Sequence, residues 1–193
     1  LYADYIYLDT DERRRFAQVS HEYLIEQVQH QSASGVAGVT LNFNHPVKEL
    51  VFQSDTDAEG VRADFADSTD VLLKLNGHDR FSARPISYFT QTQVWQHHTG
   101  TPVQAPAAGA SPSNGPGSAS TLQIGVYSFA LKPEEHQPSG TCNFSRIDNT
   151  TLNLTTTYSS TSATGTIKAT GKTGVVRIYC VNYNVFRVMS GMG

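Results

Sequence analysis

Along most of this chain apolar and polar residues alternate one by one, the pattern of strands that turn one face to a core and the other to water. Val71, Leu73 and Leu75 share one face and Leu72, Lys74 and Asn76 the other, after which Asn76-Gly77 supplies turn chemistry. Val39, Leu41 and Phe43 repeat the alternation until Asn44-His45-Pro46 breaks it, and Lys48 to Gln53 resumes as a further strand. Tyr127, Phe129 and Leu131 alternate with Val126, Ser128 and Ala130. Leu152 and Leu154 alternate with Thr151, Asn153 and Thr155, in a threonine-rich stretch suited to strand. Tyr2 to Leu8 and Tyr23 to Val28 are two more strand candidates. Between them, Asp11 to Gln18 reads as a helix, with Thr10 or Asp9 as its cap and acids in its first turn.

Val175 to Val188 breaks the rule by being apolar on both faces. Val176, Ile178 and Cys180 lie on one side, with Val175, Tyr179, Val181 and Tyr183 on the other. A strand of this kind is covered from both sides. One face belongs to the core of its own sandwich, so the other is expected to meet a companion domain or a neighbouring subunit. Tyr179, Val181 and Tyr183 are the candidate contact residues.

About eight strands, a short helix and no βαβ rhythm predict an all-β fold, an eight-stranded antiparallel jelly-roll β-sandwich with long loops. Long connections, rather than evenly spaced hairpins, favour this wiring over an up-and-down barrel. Residues 1–193 read as a single domain, because strands on both sides of the Pro/Ala/Gly/Ser-rich stretch Gly100 to Ser120 are needed to complete one sandwich. That stretch reads as a long surface loop within the domain. Ser54 to Thr69, acidic, and Ser159 to Thr173, rich in Ser, Thr and Gly, read as two more.

A chain of 193 residues buries roughly 70% of its unfolded surface, enough to fold without metal or disulfide. Fourteen Lys and Arg against seventeen Asp and Glu give a net charge of −3, which offers no field for nucleic-acid phosphates. The basic run Arg13-Arg14-Arg15 is offset by Asp9, Asp11 and Glu12. No apolar run approaches the ~18 residues of a membrane span. The opening Leu1-Tyr2-Ala3-Asp4 has no signal-peptide pattern and reads as a start inside a longer polypeptide. Cys142 and Cys180 are expected to be buried thiols of a reducing compartment.

Candidate chemistry is sparse. The histidines include no His-x-His pair, and the adjacent His97 and His98 read as polar residues ending a strand beside Gly100. Cys142 with His136 lacks an orienting acid or an oxyanion feature. Trp95 reads as a core anchor, with a sugar-stacking platform beside Tyr88 and Phe89 as the alternative. The sequons at Asn143, Asn149 and Asn153 are expected to be unoccupied. The sequence therefore predicts no catalytic residue, no cofactor and no metal site, and a protein that is not an enzyme.

Several runs closely resemble the second jelly roll of the major capsid proteins of nucleocytoplasmic large DNA viruses. Tyr5 to Ala17, Glu22 to Gln27, Asn44 to Leu50, Leu75 to Phe81, Gln96 to Gly100, Tyr127 to Gly140, Asn143 to Asp148 and Ser190 to Gly193 follow in that family's order. The three loops are outside the resemblance. It implies a larger double jelly-roll protein forming a homotrimer of pseudo-hexagonal outline, many of which tile an icosahedral shell. It also implies contacts between neighbouring capsomers and with minor capsid proteins, no direct nucleic-acid contact and no membrane insertion. The implied location is the virion, after assembly in the infected cell, in the cytoplasm. A jelly-roll carbohydrate-binding module is the alternative from another class.

Overall fold

A computed structural model describes residues 2–34, 38–54, 65, 69–100, 124–156 and 175–189. The loop expected over 100–120 lies outside these residues from 101 onwards, as do nearly all of 54–69 and the whole of 159–173.

Helix α1 (Thr10–Gln18) starts where the sequence places it. Asp9 is its N-cap, accepting from the Thr10 N–H at 2.7 Å, and Asp11 and Glu12 meet the positive end of the helix dipole. The helix buries no residue. The preceding segment departs from expectation. Residues 2–9 are in no strand, and Tyr2, Tyr5, Ile6 and Tyr7 are exposed. Alternation there supplies strand propensity, but a strand forms only by pairing, and residues 2–9 pair with none of the described strands.

Among the described residues ten strand segments follow: β1 (His21–Ser34), β2 (Gly38–Leu41), β3 (Pro46–Ser54), β4 (Thr69–Leu75), β5 (His78–Asp79), β6 (Arg84–Pro85), β7 (Ile124–Ser128), β8 (Cys142–Asn143), β9 (Thr150–Thr156) and β10 (Val175–Val188). One sheet has the order β1-β10-β3-β7, with β8 also on β3; the other has β2-β9-β4-β5, with β6 also on β4. Every pairing is antiparallel. The pairs nest: first strand with last, β2 with β9, β3 with β7 and β8, β4 with β5 and β6. A long antiparallel ribbon rolled up in this way is a jelly roll.

The core lies between the sheets, where Leu50, Phe52, Val71, Leu73, Leu152 and Ile178 are almost wholly buried. Phe52 is its hub, with ring centroids 5.9 Å from both Phe65 and Phe89. Its ring lies over Gly125, where an added Cβ would sit 2.3 Å from the ring edge. The β4–β5 hairpin turns through Asn76 (φ 51°) and Gly77 (φ 80°), the positive-φ pair of a type I′ turn. Asn76 Oδ1 also accepts from the backbone N–H groups of Asp148 and Asn149, tying the hairpin to the chain entering β9.

Both cysteines are free thiols; Cys180 is buried, Cys142 half-buried. Burial pushes the Cys180 thiol up to about 12, so little thiolate exists at neutral pH. In the folded protein, iodoacetamide should label Cys180 only as fast as the domain opens and should label Cys142 sooner, as peptide mass spectrometry would show. Fast labelling of Cys180 in native protein would contradict its placement.

Candidate assembly site

The outer face of the β1-β10-β3 sheet carries two features, a polar network and an apolar surface. The network begins at a β-bulge. Val181 pairs with Glu49 but Asn182 with Val47, so Lys48 is an extra residue in β3. Its carbonyl accepts from the N–H groups of Phe129 (2.8 Å) and Ala130 (3.2 Å), which starts the segment 129–140 across the sheet as a strap. The Lys48 side chain is only 1% exposed. Its ammonium donates to Glu26 Oε1 at 2.6 Å and to the Glu135 carbonyl at 3.0 Å, and lies 5.0 Å from the Tyr183 ring centre. Burial by itself lowers the ammonium's pKa, but Glu26 and Tyr183 outweigh it and the net shift is upward. The Tyr183 hydroxyl donates to the His136 carbonyl at 3.1 Å, and His136 Nδ1 stands 3.4 Å from Glu26.

Beside it lies a second cluster. A helical segment follows β6, a π-helical turn at Tyr88–Thr92 running into α2 (Gln93–His97). Ile86 and Phe89 anchor it in the core, and Gln93 fixes it to β7 by accepting from the Ser128 N–H. Its C-terminal end presents His97 to the Leu131 carbonyl at 3.1 Å and places His98 between two carboxylates. His98 Nε2 is 3.0 Å from Glu49 Oε2, and Nδ1 is 3.1 Å from Glu134 Oε1. Thr99 donates to Glu134 through its N–H (3.0 Å) and through its hydroxyl. Desolvation raises the pKa of Glu49 although His98 opposes it, whereas the Thr99 hydrogen bonds lower that of Glu134.

The apolar surface lies along β1 and β10. Cross-strand pairs on the outer face join Leu24 to Val185, Val28 to Val181 and His30 to Tyr179. Val28 is 67% exposed, and Leu24 and Val185 are exposed too. The His30 and Tyr179 rings pack at a tilt of 33° with centres 4.7 Å apart. β3 pairs with β10 only over Val176–Asn182, so beyond Asn182 the described residues leave β10 with β1 as its one strand partner. This two-stranded end also exposes Tyr23 and Phe186.

Residues 12–193 match the family model described as "Large eukaryotic DNA virus major capsid protein". The chain belongs to this capsid protein family. Over its full length this capsid chain is 50% identical to the major capsid protein of Pyramimonas orientalis virus, of which it covers 47%. It is 36% identical to that of Paramecium bursaria Chlorella virus 1, of which it covers 52%. The capsid chain thus spans about half the length of these curated relatives. A solved structure described as a quasi-atomic model of the PBCV-1 virus capsid superposes with a TM-score of 0.72 at 34% identity, covering 98% of this chain and 54% of that one. The Faustovirus major capsid protein, at 9% identity and a TM-score of 0.60, shares the fold.

In the capsid chain, the three contact candidates fare differently. Tyr179 and Val181 are half-buried beside the exposed Val28. Tyr183 is already covered from within, by Lys48 and the strap. Leu24, Val28 and Val185 extend the surface; reading outward positions across a β1–β10 pairing would have found them.

Two other expectations need correction. His97 and His98 do not end a strand but close α2, where the helix end turns them toward the strap. Trp95 is no core anchor: it stands 71% exposed on α2, because the core-facing positions of this segment are Ile86, Phe89, Thr90 and Gln93. Cys142 and His136 are not brought together, since Cys142 packs toward the core and His136 pairs with Glu26 on the outer face. Among the described residues, no His/Cys/Asp/Glu group is arranged to hold a metal, and no helix is long and apolar enough to cross a membrane.

The network itself was missed. Apart from Tyr183, its members come from four of the runs that carry the family resemblance: Glu26, Lys48 with Glu49, His97 to Thr99, and Glu134 to His136. The available signal was Lys48-Glu49, two charges inside a strand otherwise reading Val47, Leu50, Val51, Phe52.

Proposed function

We propose that this chain is the second sandwich of a double jelly-roll major capsid protein and forms a wall of a homotrimeric, pseudo-hexagonal capsomer that tiles an icosahedral virion. The observation that carries this reading is the apolar outer face of β1 and β10, around Leu24, Val28, Tyr179, Val181 and Val185, which the described residues leave open. A sandwich needs only one buried face for its own core, and exposed apolar surface rimmed by polar groups marks a contact site. Its occupant is the companion jelly roll or a neighbouring protomer, and a contact repeated about a three-fold axis closes into a ring. Two sandwiches in each of three chains give six similar walls, the outline that hexagonal tiling requires. Neighbouring capsomers and minor capsid proteins are the further partners, with assembly in the cytoplasm of the infected cell. The role is structural, not enzymatic.

The full-length protein should sediment as a trimer. Val28→Glu combined with Val181→Glu places two charges in the contact and should weaken trimer formation by about tenfold or more, with the sandwich's circular dichroism unchanged. A full-length protein that is monomeric at micromolar concentration, or a trimer indifferent to both charges, would sink the reading.

The exposure of Trp95 keeps one alternative in play, a sugar-stacking surface. Such a site needs polar groups around the ring, and Trp95 makes no hydrogen bond or ring contact among the described residues. A glycan series that leaves the fluorescence of this sole tryptophan unchanged would dispose of it.

A further inference from the structure

His98 sits between two carboxylates from different elements, Glu49 on β3 and Glu134 in the strap, at 3.0 and 3.1 Å. A neutral imidazole has one N–H, so it can donate to only one of them. As placed, Glu49 Oε2 and His98 Nε2 lie 3.0 Å apart and make no hydrogen bond, and joining them takes one further proton. It resides either on His98, as imidazolium, or on Glu49, whose carboxyl then donates to Nε2. The Glu49 side chain is only 11% exposed, so water cannot readily stand in. Without the proton, a ring lone pair faces a buried carboxylate with no hydrogen between them, and two negative groups flank a neutral ring.

We propose that Glu49, His98 and Glu134 form a proton-dependent latch: a proton shared by Glu49 and His98 holds the strap closed over β3 and β10, and its loss as pH rises releases the strap. The other charged groups around the latch already have partners. Lys48, next to Glu49 on β3, is engaged by Glu26 and the Glu135 carbonyl. His136 in the strap faces Glu26, Lys132 pairs with Glu135, and His97 on α2 binds the Leu131 carbonyl. The latch is therefore the junction where β3, α2 and the strap depend on one titrating proton.

The two carboxylates bound the working range from opposite sides. The pKa of Glu49 is raised by burial, so its share of the stability is present at lower pH and falls as pH climbs through the raised value. The pKa of Glu134 is lowered by Thr99, so its share is present above the ordinary carboxylate value and is lost as pH falls through the lowered one. The strap is tightest in the window between. Opening it would uncover Lys48 and Tyr183 and free the exposed Leu131 beside the end of α2.

Hydrogen–deuterium exchange of this chain across pH, corrected for intrinsic exchange rates, tests the latch. The amides to read are Thr99, which donates to Glu134, and Leu131 and Lys132, which donate to Ser139. Their protection should fall about tenfold or more from mildly acidic to mildly alkaline pH, the scale of one charge-assisted hydrogen bond, while β3 core amides hold steady. In Glu49→Gln the amide donates to Nε2 with no titrating proton, so protection should persist with a flat pH profile. His98→Phe should give low, flat protection. Wild-type protection that ignores pH, or a Glu49→Gln protein that keeps the wild-type dependence, would overturn the proposal. Should Glu49→Gln fail to fold, nitrogen NMR of ¹⁵N-histidine-labelled wild type decides. A change at His98 Nε2 over the range where strap protection falls, as its hydrogen bond with Glu49 is lost, supports the latch, and ring nitrogens unchanged through that range refute it.

Discussion

Phe52→Ala should cost about 3–5 kcal/mol and lower the thermal midpoint by about 6–20 °C for a domain of this size. Phe52 is 1% exposed and contacts Phe65 and Phe89 edge-on or tilted, and its ring fills the space that Gly125 leaves on β7. Truncation removes this packing and leaves a cavity against a backbone position that has no side chain to collapse into it. Gly125→Ala tests the same fit from the other side, because its Cβ would meet the ring at 2.3 Å; overpacking of this kind costs about 1–3 kcal/mol. Tyr5→Ala, on the exposed N-terminal arm, should change stability by less than about 0.5 kcal/mol. Calorimetry of the three variants is sufficient. A Phe52→Ala loss no larger than that of Tyr5→Ala would mean that the core is not centred where the structure puts it.

The second large effect is expected at Lys48. Removing one partner of a buried ion pair costs about 3–5 kcal/mol, because the other charge is left unpaired. Glu26 is one-third exposed and keeps part of its hydration, so Lys48→Met should fall lower, at about 2–3 kcal/mol. Methionine fills similar volume, which separates loss of charge from loss of packing. Glu26→Gln should cost less, since its amide oxygen still accepts from the ammonium. The sign of the pH dependence follows from the raised pKa of Lys48. Its stabilisation is complete below the ordinary lysine value of 10.5 and is lost only as pH rises through the higher folded value. The difference between wild type and Lys48→Met should thus be level from about pH 6 to about pH 9 and shrink in stronger alkali. Chemical denaturation at a series of pH values measures this; a Lys48→Met protein as stable as wild type would show that the pair contributes nothing net.

What could be read locally was legible in the sequence. Val71, Leu73 and Leu75 announced β4, Asn76-Gly77 its turn, and Asp9 with Asp11 and Glu12 the start of α1. These features depend on side-chain alternation, positive φ and capping, each settled within a few residues. The apolar residues on both faces of β10 were also legible, but the sequence assigned the cover of Tyr183 to a companion domain or a neighbouring subunit, whereas the chain's own Lys48 and strap cover it.

Only the tertiary structure decided the rest. The strand read over Tyr2 to Leu8 pairs with none of the described strands, and Trp95 faces water because Ile86 and Phe89 took the inward positions of its segment. The polar network joins residues as far apart as Glu26, Lys48, His98 and Glu134, and no local pattern encodes such pairings. A charge in a strand reads the same whether it faces water or an ion partner 22 residues away along the chain, as Glu26 is to Lys48. The difference is made by desolvation and by the bulge that aims the side chain, and both exist only once the sheets have closed.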